Sequence, residues 1–330
     1  MKKELIELLR CPNCSNNKYK CDVLKENELE IREGTIECEK CGLKIKIMGG
    51  IIDLLFNSSS EIEKERMGTV KFFKENPQSK ERILDLPDVN SPNTANFYFV
   101  LDNLDLQGNE LVLDAGAGFG WAAKEFAKRG CQSIAVDISE EALAFSEFYI
   151  EQGIYIDRVL AHMEALPFKN SIFDIVCINA ALHHSSNLNA AVKELARVLK
   201  KDGRLVVVNE PVGGLIPKKD YALDAREAHD QNDHLYSVFA YKKACLVNGL
   251  DPVVYFPPSI DQILKQRSSY IHKVTGEPES INSKMKGIFS RLIGYFWDIE
   301  PFRRFFIRYL FYPSMIIAGL TLVLIAEKKQ

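Results

Sequence analysis

The stretch 111–120, LVLDAGAGFG, constrains the fold of this chain more than any other segment. An apolar run ends in Asp114, and glycine then occupies every second position, at Gly116, Gly118 and Gly120. Only glycine lets the backbone turn this tightly and approach a ligand this closely. The pattern therefore predicts a strand, a glycine turn and the start of a helix.

Segments with the pattern of strands alternate with segments with the pattern of helices from about residue 96 to residue 210. The predicted strands begin with LVLDAG and continue with SIAVDI, RVLAH, FDIVCIN and RLVVVNEP. Such alternation is typical of a parallel sheet with helices on both faces, and its ligands bind at the carboxyl ends of the strands. We expect an α/β fold, a doubly wound (Rossmann-like), mostly parallel sheet of seven strands. The apolar run 315–326 is its predicted last strand; at 12 residues it is too short to span a bilayer.

The second predicted strand ends in Asp137, and an acid at this place can hold the two hydroxyls of a ribose. Glycine turn and acid together predict a cofactor that contains a nucleoside. A dinucleotide site requires the spacing G-x-G-x-x-G, but Trp121 stands where its third glycine belongs. S-adenosylmethionine has no pyrophosphate, and Asp114 and the helix amino terminus suit its ammonium and carboxylate groups. These residues therefore fit S-adenosylmethionine better than a dinucleotide.

Residues 111–210 resemble the class I S-adenosylmethionine-dependent methyltransferases in four motifs that follow in the family's order. LVLDAGAGFG is similar to the first motif, and VDIS to the segment with the ribose-binding acid. MEALPFKNSIFDIVCINAALHH is similar to the adenine loop and fourth strand, and AVKELARVLKKDGRLVVVNEP to the following helix and fifth strand. The resemblance implies that the protein is an enzyme, a methyltransferase.

The resemblance also implies a role for each matching residue. In many members an acid accepts a hydrogen bond from the adenine amino group. This chain has His162 at that position, and a neutral ring nitrogen could accept the same bond. Gly116, Gly118 and Gly120 would line the methionine portion with Asp114 nearby, Asp137 would hold the ribose, Ile138 and Met163 would contact the adenine with His162, and Asn179 would lie beside the transferred methyl group.

Two C-x-x-C pairs near the start of the chain, Cys11/Cys14 and Cys38/Cys41, predict a metal site. The opening MKKELIELLRCP lacks the apolar core of a secretory signal, so we expect a reducing, cytoplasmic compartment in which paired cysteines bind metal. Four thiolates suit a tetrahedral structural zinc, although iron in a rubredoxin-like site would use the same ligands.

The chain is expected to have three parts: a β-rich zinc ribbon at 1–57, a helical linker at 58–95 and a methyltransferase domain at 96–330. Insertions are expected at about 211–234 and 258–313. LLRCPNC and ECEKCGLKIKIMGGIIDLL resemble the zinc-ribbon family that includes the small activator subunit of tRNA and release-factor methyltransferases. Two roles stay open for the ribbon: stabilising the catalytic domain, or binding a substrate or an unidentified protein partner.

Candidate catalytic residues lie at the carboxyl ends of the fourth and fifth predicted strands. Methyl transfer requires a positioned nucleophile and, for an oxygen acceptor, removal of its proton. His183, His184 and Glu210 are candidates for that base; alternatively, a histidine packs against the cofactor or caps the next helix. Further residues are expected to approach the substrate from the first insertion: His229, Asp230, His234 and Tyr236.

The charge of the chain restricts the class of molecule that could accept the methyl group. The net charge is −3, and the insertions lack the interleaved aromatic and strongly basic character of a nucleic-acid surface. We expect a small-molecule or biosynthetic acceptor, glycan-linked and lipid-linked compounds included; the alternatives are an RNA methyltransferase guided by the ribbon and a non-catalytic binding scaffold. FRRFFIRYLFYP suits an interfacial segment near anionic lipid, a pocket wall, or an amphipathic helix packed on the core.

Overall fold

The computed structural model describes residues 1–56, 60–89, 91–215, 234–261, 293, 296–297, 299–318 and 320–329. The strands of this part of the chain form one sheet. They are β1 (Tyr19–Glu26), β2 (Ile31–Cys38), β3 (Lys44–Met48), β4 (Ile51–Asp53), β5 (Leu111–Ala115), β6 (Gln132–Asp137), β7 (Asp157–Leu160), β8 (Phe173–Asn179), β9 (Leu199–Pro211), β10 (Leu250–Val254) and β11 (Thr321–Lys328).

The strand order is β1-β2-β3-β4-β7-β6-β5-β8-β9-β11-β10. Parallel pairing runs from β4 through β7, β6, β5 and β8 to β9. The strands outside this block pair antiparallel. The prediction of seven strands in a mostly parallel sheet is therefore wrong, because the described strands number eleven and half of their pairings are antiparallel. The extra strands β1–β4 come from the cysteine-rich segment, where short connections permit only antiparallel neighbours.

Helices cover the parallel part of the sheet, as its buried, uninterrupted apolar strands require. None of the described helices is long and apolar enough to cross a membrane. They are α1 (Leu5–Leu8), α2 (Ser60–Glu75), α3 (Lys80–Leu84), α4 (Pro92–Asp102), α5 (Trp121–Ala127), α6 (Glu140–Phe145), α7 (Glu147–Glu151), α8 (Leu188–Val198), α9 (Val238–Val247), α10 (Glu300–Phe305) and α11 (Phe311–Ala318), with a 3-10 turn at Leu182–His184 and a π-helical turn at Phe306–Leu310.

The apolar run 315–326 is divided between two elements. Its first residues end α11, in which Phe311 and Met315, four positions apart, are both buried against the core. That spacing places them on one face of a helix. The strand β11 begins only at Thr321, so the prediction of a strand holds for the second half of the run.

The cysteine-rich segment shares its core with the rest of the sheet. Leu9, Ile36 and Ile47 belong to the same buried cluster as Leu113 and Val176 of the central strands. Backbone hydrogen bonds also join this segment to the chain after β7, at 160–169. The segment therefore extends one continuous sheet and lies beside the loop that follows β7.

Candidate active site

The glycine turn follows β5 at the carboxyl edge of the sheet. Gly116, Gly118 and Gly120 all have positive φ angles, which suit glycine. A Cβ atom at Gly116 would lie 2.5 Å from the Cβ of Ala181, so this glycine lets the turn close against the chain after β8. A Cβ at Gly118 would meet no atom within 4 Å, so this part of the turn borders open space.

Asp137, at the end of β6, connects this turn to the next one. Its Oδ2 accepts a hydrogen bond from the Gly118 N–H at 2.8 Å, and its Oδ1 accepts one from the Ser139 N–H at 2.9 Å. Burial raises the pKa of Asp137, and these two bonds oppose the rise. Because each carboxylate oxygen can accept a second hydrogen bond, Asp137 still has acceptor capacity for two ribose hydroxyls.

A cavity of about 200 Å³ lies at this edge. It brings together seven residues that the sequence assigned to the site: Gly116, Gly118, Asp137, Ile138, His162, Met163 and His184.

Helix α2 supplies three further residues to the wall of this cavity, Glu65, Thr69 and Phe73, which the sequence analysis did not identify. The ring of Phe73 packs against those of Phe119 and Phe145, with centroids 5.4 and 6.0 Å apart. The segment predicted as a helical linker thus covers the glycine turn. The aromatic pair Phe72 and Phe73 within this charged helix was a sequence signal of the contact.

Asp114 and Asn179 do not line the cavity. Asp114 is 2% exposed, and its Oδ2 accepts a hydrogen bond from the Ala123 N–H of α5 at 2.9 Å. Burial, together with the nearby charge of Asp137, raises the pKa of Asp114 to about 7. Asn179 Oδ1 accepts a hydrogen bond from Asn209 Nδ2 at 2.8 Å. Asp114 therefore braces the backbone of α5, and Asn179 links β8 to a side chain of β9.

His162 has a defined hydrogen-bonding pattern. Its Nδ1 lies 3.2 Å from the backbone N of Glu164, whose N–H is the donor. Burial lowers the pKa of His162, which favours the neutral ring. The proton of a neutral ring whose Nδ1 is an acceptor must be on Nε2. His162 therefore presents a donor at Nε2, whereas the sequence analysis expected an acceptor for the adenine amino group.

Glu210, at the end of β9, is fully buried and holds the turn that follows β8. Its Oε1 accepts the backbone N–H groups of Ala181 and Leu182 at 2.7 and 2.8 Å. Its Oε2 lies 3.0 Å from the His183 backbone N and 2.8 Å from His183 Nδ1. With so many donors on one carboxylate, Glu210 is an orienting group for His183 rather than an available base.

The two histidines differ in their surroundings, although their rings are only 4.0 Å apart between centroids. His184 lines the cavity, with its Nδ1 3.4 Å from Oε1 of Glu65. The His183 carbonyl accepts the N–H of His234, and the Tyr236 hydroxyl donates to the Ser185 carbonyl. His234 and Tyr236 thus lie against this turn, whereas residues 229 and 230 and most of both expected insertions are outside the described residues.

The four paired cysteines of the cysteine-rich segment come together in one cluster. The Sγ atoms lie 3.7 Å apart for Cys11 and Cys41 and 3.6 Å apart for Cys14 and Cys38, and all four are within 4.8 Å of one another. A tetrahedron with Zn–S bonds of about 2.3 Å has edges of about 3.8 Å. The thiols thus have the spacing of a tetrahedral metal site.

The two cysteine turns have the same backbone pattern. Ser15 and Gly42, each following a second cysteine, have φ angles of 60° and 69°. Their N–H groups donate to the carbonyls of Cys11 and Cys38, at 2.8 and 2.9 Å. Two matching turns that face each other present four sulfurs to one point, which is the arrangement of a four-cysteine metal site.

Known proteins are similar to this chain in the segment that contains the glycine turn and Asp137. Residues 113–207 match a family model described as a methyltransferase domain. The chain is 37% identical over 112 residues to the uncharacterized methyltransferase YcgJ of Bacillus subtilis, covering 33% of this chain and 44% of that protein. It is 32% identical over 114 residues to the ubiquinone/menaquinone biosynthesis C-methyltransferase UbiE of Paraburkholderia phymatum, covering 33% and 47%. The chain thus spans less than half the length of these two relatives.

A solved structure has the same fold over most of the chain. Phosphoethanolamine N-methyltransferase 2 of Haemonchus contortus, in complex with S-adenosyl-L-methionine, gives a TM-score of 0.52 at 15% identity. The match covers 87% of this chain and 62% of that one. At this identity it shows a shared Rossmann-like α/β fold. By sequence, the segment 113–207 is similar to a methyltransferase domain.

Proposed function

We propose that the protein is a methyltransferase that uses S-adenosylmethionine. The observation that carries this proposal is the meeting of Gly118 and Asp137 in one cavity, within the segment that matches the methyltransferase domain. A backbone turn open to a ligand and a carboxylate with spare acceptor sites are what the methionine and ribose portions of this cofactor require.

Each cavity residue contacts a different portion of the cofactor. Gly116 and Gly118 border the methionine portion, and Asp137 accepts from the ribose hydroxyls. Ile138 and Met163 pack on the adenine, while the Nε2–H of His162 donates to one of its ring nitrogens. Gly120, Asp114 and Asn179 act indirectly. Gly120 lets the turn pass close to Ile156, Asp114 holds α5, and Asn179 links β8 to β9.

His183 is our proposed general base. When bound, the cofactor supplies an electrophilic methyl group on a sulfonium. Glu210 accepts from the Nδ1–H of His183, so the Nε2 lone pair is available to take a proton from the acceptor. Its neighbour His184, which lies in the cavity beside Glu65, contacts the cofactor instead.

The acceptor we propose is a small molecule or biosynthetic intermediate. UbiE is named for quinone biosynthesis, and the Haemonchus contortus methyltransferase for phosphoethanolamine. A net charge of −3 also gives no general attraction to nucleic acid. Glycan-linked and lipid-linked compounds belong to this class.

We further propose that Cys11, Cys14, Cys38 and Cys41 hold a structural zinc. The sulfur spacing and the two matching turns support this assignment. The zinc would fix the end of a segment whose strands continue the central sheet.

Calorimetry with S-adenosylmethionine tests the proposed function. We expect wild type to bind and Asp137→Ala to bind at least about tenfold more weakly, because two charge-assisted hydrogen bonds are lost. Asp22→Ala, at an exposed acid on β1, is the matched control and should bind as wild type does. Absence of binding by wild type at millimolar ligand would refute the proposal.

A further inference from the structure

Residues 300–318 form one continuous helical segment from α10 through the π-helical turn to α11. A narrow side of it is buried, at Phe306, Phe311 and Met315. Phe306 and Phe311 pack against Trp297 and Phe256, with ring centroids 5.4 and 5.0 Å apart. The aromatic packing on the core that the sequence suggested therefore accounts for only part of this segment.

The remaining side exposes large apolar side chains to solvent. Phe305 is 51% exposed and Tyr309 55%, and their rings lie 5.2 Å apart between centroids. Ile307, Leu310 and Ile317 are between 37% and 46% exposed. Several large apolar side chains exposed along one helical segment of a folded protein mark an interaction surface, since each would gain from leaving water.

Arginines are interspersed among these apolar residues. Arg303, Arg304 and Arg308 lie on the segment, and the Arg308 guanidinium lies 5.4 Å from the centroid of the Tyr309 ring. The described residues 299–318 contain one acid, Glu300, which pairs with Arg304. Three arginines against one glutamate give this stretch a charge of +2.

We propose that this aromatic–basic surface, formed by Phe305, Ile307, Tyr309 and Leu310 with Arg304 and Arg308, binds the surface of an anionic lipid bilayer. At a bilayer surface, aromatic and aliphatic side chains enter the boundary between headgroups and acyl chains. The arginines pair with anionic headgroups, each adding to the attraction. The same surface thus buries its apolar groups and neutralises its charge against one partner.

A second copy of the chain fits this surface less well. In a two-fold dimer the same patch faces itself, so the arginines of one copy would approach those of the other. Anionic lipid removes that repulsion. Charge complementarity therefore favours the bilayer over self-association.

The carboxyl-terminal end of this helical segment lies at the active-site edge of the sheet. The Ile316 carbonyl accepts a hydrogen bond from the Leu215 N–H at 2.9 Å, just beyond the end of β9. Thr321, after the helical segment, pairs with Pro211 at that end. Lipid binding would therefore engage a helical segment whose carboxyl-terminal end is anchored at the edge that carries Glu210.

Co-sedimentation of the full chain with vesicles, without cofactor, tests the proposal. We expect binding to phosphatidylcholine vesicles that contain phosphatidylglycerol, and about tenfold weaker binding to phosphatidylcholine alone. The double variants Phe305→Ser/Tyr309→Ser and Arg304→Gln/Arg308→Gln should each weaken binding about tenfold or more. Leu24→Ser, at an apolar residue that is 74% exposed on β1, is the control and should bind as wild type does.

We expect each variant to fold, since all the substituted residues are exposed, and circular dichroism checks this. Failure of wild type to sediment with the anionic vesicles overturns the proposal. Equal binding by wild type and both double variants also overturns it, because another surface must then be responsible. A wild-type dimer in light scattering that Phe305→Ser/Tyr309→Ser dissociates would assign the surface to a second copy instead.

Discussion

Glu210 and His183 are joined by a 2.8 Å contact between Oε2 and Nδ1, with the glutamate fully buried. The same carboxylate accepts three consecutive backbone N–H groups of the turn after β8. Glu210 thereby fixes both the path of that turn and the orientation of the imidazole. The acid contributed by β9 and the histidine after β8 act as one unit.

Glu210→Gln should destabilise the protein. A glutamine amide has one acceptor oxygen, so at least one buried donor of the turn loses its partner, at a cost of about 1–3 kcal/mol. Urea unfolding measures the loss. Glu39→Gln, at an exposed glutamate on the cysteine-rich segment, is the matched control and should change stability by less than about 0.5 kcal/mol. Equal stability of the two variants would show that the turn does not depend on this carboxylate.

His183 and His162 should have opposite tautomers. Glu210 requires a proton on Nδ1 of His183, whereas the Glu164 N–H requires a lone pair on Nδ1 of His162. Two-bond proton–nitrogen correlation spectra, recorded where both rings are neutral, distinguish the two forms. His162→Gln and His183→Gln assign the signals. The same tautomer in both rings would contradict one of these hydrogen bonds.

His162→Phe should weaken S-adenosylmethionine binding about fivefold to tenfold, because the ring loses the Nε2–H donor worth about 1 kcal/mol. His162→Gln is the matched variant, since its side-chain amide still carries a donor, and we expect a change of about twofold or less. Calorimetry gives both affinities. A larger loss for glutamine than for phenylalanine would show that packing, and not the donor, matters at this position.

Asp114 should make stability depend on pH. Its pKa rises from 3.8 to about 7 in the folded protein, mainly through burial. Between these values the folded state retains a proton that the unfolded chain releases, so stability is lost as pH rises from about 4 to 7. The loss is at most about 4 kcal/mol.

Asp114→Asn removes this dependence, because asparagine stays neutral and its oxygen can still accept from the Ala123 N–H. Chemical unfolding at pH 5 and pH 8 measures the free energy of unfolding. Relative to wild type, Asp114→Asn should be more stable at pH 8 than it is at pH 5. Asp22→Asn, at an exposed acid, is the control and should follow wild type. The same change in the free energy of unfolding between pH 5 and pH 8 for Asp114→Asn and wild type would contradict the raised pKa.

Metal analysis should find about one zinc per chain, and Cys38→Ser should lose it. We expect the melting temperature to fall by roughly 5–10 °C, since metal binding contributes directly to folding. Cys21→Ser, at an exposed cysteine outside the cluster, is the matched control and should keep both metal and stability. Iron in place of zinc would leave the four-cysteine site intact and change only the assigned metal, whereas metal-free wild type would refute the site.

Local sequence patterns determined much of this protein. The glycine turn, the strand–helix alternation and the cysteine pairs are signals within short stretches, and spacing and periodicity alone predict the elements they form. They were sufficient for the α/β class, for strands β5, β6 and β8, and for the cluster of four cysteines. They also placed Gly118 and Asp137, and the family resemblance added Met163; the structure brings all three to one cavity.

Only the tertiary structure decided how these parts join. The pairing of Ile52 with Val159 merges the cysteine-rich segment into the sheet, and it connects residues more than a hundred positions apart. The Asp114 side chain accepts a hydrogen bond from α5, and Glu65 of α2 lines the cavity. Glu210 accepts hydrogen bonds from backbone N–H groups. A side chain's type states which hydrogen bonds it is able to make. Which ones it makes depends on the neighbours that long-range packing supplies, and no local pattern encodes those.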